Sequence, residues 1–185
     1  MQSNDQERWD GKYRSELAHQ LSDPDPLVMA ALDELGAGAG RAALDLAAGT
    51  GRHSIELAQR AWNTSAWDVS GVGLAELDRR AAALGLPVNT KRVDVLAAPP
   101  TQAEFDLLLS TDFLDRDLWQ NLGPWVRPGG HALLVTFNLD WPGPKPSARF
   151  RLRPGELASG LEGFETLWVR EVDGRSAILA KRQGA

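Results

Sequence analysis

From Arg41 onward the chain alternates short apolar runs with amphipathic stretches, and this alternation restricts the fold more than any other feature. The runs are AALDLAA (42–48), TSAWDV (64–69), PVNTKRVDV (87–95), FDLLLST (105–111) and HALLVTF (131–137). Runs of this length suit strands rather than helices, and apolar residues on both strand faces suit a parallel sheet covered on both sides. Between them IELAQRAW, VGLAELDRRAAALG and FLDRDLWQNLGPWV supply helices, the second with apolar residues three and four apart and a stop at Gly85. The crossover LAAPPTQAE has room for about a turn of helix. In the tail, FETLWVREV and RSAILAKR flank Asp173-Gly174, a two-residue hairpin signal. The pattern predicts a doubly wound α/β fold of seven strands, mostly parallel, ending in an antiparallel hairpin.

Ahead of this core lie a polar head, a helical spacing over Asp10 to Leu21, and a second helix, LVMAALDELG, opened by Pro24-Asp25-Pro26 and stopped at Gly36. The expected organisation is a single domain over 1–185, with a helical arm over 1–36 and the core over 37–185. A length of 185 residues and 43% hydrophobic content are enough for one full core. The formal charge of -5 argues against a phosphate-binding basic stripe, so nucleic acid is not an expected partner. No cysteine is present and the three histidines are scattered, so neither a disulfide framework nor a metal centre is expected. No run is apolar for long enough to span a bilayer and the head lacks a signal-peptide core, which makes the cytoplasm the default expectation.

The chemistry concentrates in Leu44-Asp45-Leu46-Ala47-Ala48-Gly49-Thr50-Gly51-Arg52-His53, a strand running through a glycine turn into a helix. Glycines at such a turn let backbone approach a ligand closely, and the helix start offers free N–H groups. Asp45 sits in the strand just before the turn, where a buried acid needs a partner such as a ligand ammonium group. Asp68 closes the second strand, at the place where α/β nucleotide folds put the acid that accepts from ribose hydroxyls; a helix cap is the alternative. Asp94 closes the third, where a carboxylate can accept from an adenine amino group. Three acids at the ends of three successive strands beside one glycine turn are more than core packing requires.

LDLAAGTGRHSIELA resembles motif I of class I S-adenosyl-L-methionine (SAM) dependent methyltransferases, and AWDVSGVGLAEL, VDVLAAP, FDLLLSTDFLDR and WVRPGGHALLVTF resemble the motifs that follow it. Within that Rossmann-like superfamily, GTGRHS, FLDR, RPGG and RFRLRPGELASGLEGFETL are most similar to the small branch of tellurite-resistance and thiopurine methyltransferases. The resemblance implies SAM as cofactor. It implies that Asp45, Ala47, Gly49 and Gly51 hold the methionine end, Asp68 and Val69 the ribose and adenine face, and Asp94 and Val95 the adenine edge. It further implies Ser110 and Thr111 as the floor beneath the sulfonium, and an arm with Trp9, Tyr13 and Arg14 over the cofactor. The branch tends to carry a Ser-Arg pair where this chain has Thr111-Asp112.

No catalytic residue is assigned; if the acceptor needs deprotonation, Asp112 and His53 are the titratable groups nearest by motif position. A small-molecule acceptor is expected, with Leu139 to Arg153 as its wall: Trp141 and Phe150 for apolar contact, and Lys145, Arg149, Arg151 and Arg153 to attract an anionic group. Two other readings stay open. Gly49, Gly51 and Ser54 nearly spell a nicotinamide-binding fingerprint, though the third glycine is missing. A catalytically silent SAM-binding protein would carry the same residues.

Overall fold

The computed structural model describes residues 2–16, 22–99 and 105–184. The chain divides into two compact units, residues 1–100 and 101–185. The described residues form seven strands, ordered β3-β2-β1 in the first unit and β4-β5-β7-β6 in the second. All pairings are parallel except those of the C-terminal hairpin, which is the α/β architecture expected.

In the first unit β1 (Ala42–Leu46), β2 (Asn63–Asp68) and β3 (Val88–Arg92) run parallel, with Asp45 beside Ala66 and Asp68 beside Arg92. Helices α3 (Arg52–Gln59) and α4 (Gly71–Ala83) cover them, and Ile55, Ala66, Leu74, Leu77 and Ala81 form a shared core cluster. Burying five such side chains contributes on the order of 1.5–3 kcal/mol for each large one, enough to hold the layers together. α2 (Pro26–Leu35) starts where the sequence places it: the Asp25 side chain accepts from the Leu27 N–H at 2.9 Å, and Pro26 occupies the first turn.

The N-terminal helix differs from expectation. Helix α1 spans Gln2–Glu16 rather than starting at Asp10; residues 17–21, the rest of the predicted segment, lie outside the described residues. Gln6, Glu7, Arg8, Lys12 and Arg14 are good helix formers, and an i,i+3 pair between Asp5 and Arg8 at 3.2 Å spans the first turns. No apolar periodicity announces the helix, because it docks by a few polar and aromatic side chains.

The second unit contains β4 (Phe105–Thr111), the short α5 (Arg116–Gln120), β5 (Val126–Phe137), β6 (Phe164–Val172) and β7 (Arg175–Arg182). The predicted long helix over 113–126 shortens to α5, capped by Asp115, and a single 3-10 turn. Asp173 and Gly174, with φ of 50° and 76°, make the tight turn between β6 and β7. No helix among the described residues is long and apolar enough to cross a membrane.

Candidate functional site

The end of β1 leads into the turn Ala47-Ala48-Gly49-Thr50-Gly51. Ala47, Gly49 and Gly51 all have positive φ, at 58°, 57° and 76°. Positive φ at alanine costs about 1–2 kcal/mol and marks a position the surroundings impose. A Cβ built on Gly49 would stand 2.5 Å from the Tyr13 hydroxyl, so α1 lies directly over the turn. A Cβ on Gly51 would collide with the Leu77 side chain. Gly51 is thus required by packing against α4 as well as by its φ, while Gly49 faces an aromatic group carried on a separate helix. Gly73 of α4 packs against the turn from the other side, where a Cβ would lie 2.9 Å from the Gly49 carbonyl oxygen.

Asp45 is 1% exposed. One carboxylate oxygen accepts from the Ser54 hydroxyl at 2.6 Å, and the other, Oδ1, has no hydrogen-bond partner. Burial drives its pKa up to about 7, the Ser54 hydrogen bond opposes this, and the charge of Asp68 adds to the rise. Asp68 is also buried; its two oxygens accept from the backbone N–H groups of Gly49 (2.8 Å) and Ser70 (2.7 Å). Burial raises its pKa against the pull of those two N–H groups. Asp68 therefore organises both the glycine turn and the approach to α4, whose cap is Ser70 rather than Asp68 itself. Each oxygen keeps lone-pair capacity for a further donor.

Ser70 caps α4: its hydroxyl accepts from the Gly73 N–H at 3.1 Å and donates to Asp10 of α1. The same Asp10 oxygen accepts from the Val72 N–H at 3.2 Å, and the Ser70 hydroxyl is the main cause of its lowered pKa. Trp9 and Tyr13 stack with centroids 5.8 Å apart. Asp10 carries no signal in the sequence that would have singled it out, and neither does Gln6 one turn earlier.

Beyond Asp68, an open cleft of about 280 Å³ is lined by Val69, Arg92, Val93, Asp94, Ala97 and Ala98, with Gln6 of α1. One Asp94 oxygen accepts from the Leu96 N–H at 3.1 Å, which shapes the loop after β3, and Val95 is buried. The strand ends at Arg92, so Asp94 and Val95 stand in a loop rather than in the predicted run.

His53 is 2% exposed and its Nε2 accepts from the Asp25 N–H at 3.0 Å. It joins α3 to the cap of α2, and a ring nitrogen engaged in this way is not placed to take a proton from an acceptor. In the second unit, Ser110 and Thr111 are buried at the end of β4, and the Ser110 hydroxyl has no hydrogen-bond partner. Asp112 follows at φ 58°, and its carboxylate pairs with Arg175 at 2.6 Å. The segment 139–153 holds itself together. Arg151 donates to the carbonyls of Pro146, Trp141 and Gly143, Trp141 Nε1 donates to the Lys145 carbonyl, and Arg149 lies over the Phe150 ring. Arg151 is a staple of the loop and is not available to attract an anion.

The first unit thus brings together a strand, a left-handed glycine turn with two buried carboxylates, and a cleft lined by a third. Residues 43–130 match the methyltransferase-domain family. SAM is the cofactor that a methyltransferase domain implies, and the residues fit it, because the orphaned Asp45 oxygen can accept from an ammonium group and the glycine turn admits close backbone approach. No curated protein matches the chain. Among solved structures, TehB from Haemophilus influenzae is similar at a TM-score of 0.74 and 22% identity, over 91% of this chain and 65% of that one. The chain thus spans about two thirds of the length of TehB. A SAM-dependent methyltransferase from Aquifex aeolicus is similar at 0.66 and 18%, over 83% and 88%. The [4+2]-cyclase SpnF is similar at 0.72 and 17%, over 86% and 80%. At these identities the likeness is one of fold, and the cyclase shows that the fold hosts more than one chemistry.

Proposed function

We propose that the chain is a methyltransferase that passes the methyl group of SAM to a small-molecule acceptor by in-line displacement. The observation that carries this reading is Asp45: a fully buried carboxylate with an unpartnered oxygen, four residues before a glycine turn, in a domain matched to methyltransferases. SAM, when bound, supplies a methyl carbon that already bears a good leaving group. The chain's own residues bind and align. Asp45 and the turn at Gly49 take the amino-acid end, Asp68 accepts from ribose, and Val69, Asp94 and Val95 hold adenine. Ser110 and Thr111, at the buried end of β4, are the groups assigned to the methyl end.

Alignment alone lowers such a barrier by about 7–11 kcal/mol, so no general base is needed for an acceptor that is already nucleophilic. This agrees with the geometry of the two titratable candidates, since His53 is held by Asp25 and Asp112 by Arg175. The absence of any basic balance in the composition supports a small acceptor. Calorimetry with S-adenosylhomocysteine, followed by transfer from labelled SAM to a panel of small acceptors read by mass spectrometry, tests the proposal. Binding with transfer supports it; binding without transfer to any acceptor favours a silent SAM-binding protein; binding of NADH instead of S-adenosylhomocysteine overturns it.

A further inference from the structure

Arg92 is the last residue of β3 and lines the cleft that begins beyond Asp68, with its Cα directly beside that acid in the parallel register. Its stem lies over the first residue of α4: a Cβ on Gly71 would be 3.5 Å from Arg92 Cδ and 3.7 Å from Nη1. The guanidinium makes no hydrogen bond or ion pair with any described residue, although Asp68 is its neighbour in the sheet and Asp94 follows two residues later. It is also a cation placed at the positive end of a helix, where the backbone dipoles disfavour it. An arginine serving only solubility would relax away from a helix N-terminus or pair with the adjacent acids. The cleft itself is lined by valine, alanine, Asp94 and Gln6 and contains no aromatic side chain against which a purine could stack.

We propose that Arg92 is a cofactor-contacting residue whose planar guanidinium stacks on the adenine ring of SAM. This rests on the assignment of the cleft to adenine under the proposed function. A purine presents an electron-rich π face, and a guanidinium both matches it in shape and is attracted to it. Val69 and the alanines supply the apolar contact, Asp94 accepts at the purine edge, and Arg92 covers a face that would otherwise meet water. The stem lies beside the start of α4, where even a Cβ at position 71 would stand at ordinary van der Waals distance from it.

Arg92→Ala, Arg92→Lys and the unaltered chain are titrated with S-adenosylhomocysteine and with 5′-methylthioadenosine, which keeps adenosine and lacks the amino-acid end. Arg92 is exposed, so Arg92→Ala is expected to keep the melting temperature of the free protein. It is expected to weaken both ligands by the same factor, about two- to fivefold, the strength of a cation–π contact at an exposed site. Arg92→Lys, which keeps the charge and loses the plane, recovers only part of the loss. Unchanged affinity in Arg92→Ala, a loss confined to S-adenosylhomocysteine, or full recovery with Arg92→Lys each overturn the stacking role. Failure of the unaltered chain to bind either ligand would instead overturn the cofactor site itself.

Discussion

Asp10 and Ser70, sixty residues apart, share a buried 2.5 Å hydrogen bond, and Ser70 in turn donates its backbone N–H to Asp68. The N-terminal helix is therefore tied to the acid assigned to ribose through a single serine. The lowered pKa of Asp10 means that its stabilisation is present above its unfolded pKa of 3.8 and is lost as pH falls through the lower folded value.

Asp10→Asn weakens this tie without removing the side chain, and Ser70→Ala also removes the cap of α4. Ser70→Ala is expected to cost about 1 kcal/mol of stability, as cap losses do. Both variants should speed hydrogen exchange around Trp9 and Tyr13 in the free protein, and S-adenosylhomocysteine should slow that exchange again. Exchange that is identical in the variants and unaltered by ligand would make α1 a fixed part of the core.

Asp45 should impose a pH dependence of its own. Between pH 3.8 and about 7 the folded protein holds a proton that the unfolded chain releases. The stabilisation this provides is full below 3.8 and is lost as pH rises through about 7, at most about 4 kcal/mol in all. Asp45→Asn should remove that slope from chemical denaturation curves. A ligand ammonium group favours the charged carboxylate, so binding of S-adenosylhomocysteine below about pH 7 should release a proton and tighten as pH rises. Calorimetry in two buffers of different ionisation enthalpy measures the release, and a binding heat independent of buffer would exclude Asp45 from contact with the ammonium group.

Ala47 is held at φ 58° immediately after β1. Ala47→Gly removes the clash of Cβ in the left-handed region and should raise stability by about 0.5–1 kcal/mol, net of the added chain entropy. Ligand affinity should change little, because the backbone keeps its path. A loss of stability would show that the Ala47 methyl group makes packing contacts worth more than the strain.

Arg151 binds three carbonyls of its own loop. Its replacement by alanine should open 139–153 to proteolysis and lower stability by about 1–3 kcal/mol, since the hydrogen bonds it loses are charge-assisted. Affinity for S-adenosylhomocysteine should be unaltered. Transfer to the acceptor found by screening should fall if this loop is the acceptor wall, and unchanged turnover would move that wall elsewhere.

The elements that local chemistry dictates were legible in the sequence. Apolar runs, the helical spacing of α4, the Asp25-Pro26 start of α2 and the Asp173-Gly174 turn each depend on residues a few positions apart, because period and φ are local properties. The glycine turn, Asp45 within β1 and Asp68 at the end of β2 were visible for the same reason, whereas Asp94 stands two residues past β3. Tertiary structure alone decided the partners. Gly51 is opposed by Leu77, His53 is taken by Asp25 28 residues away, Asp10 reaches Ser70, Arg151 staples its loop and Arg92 lines the cleft beside Val69 and Asp94. Nothing in the spacing of these residues encodes such contacts, since which side chains meet is set by how helices and strands pack after they form, and a buried polar group takes whichever partner that packing brings within reach.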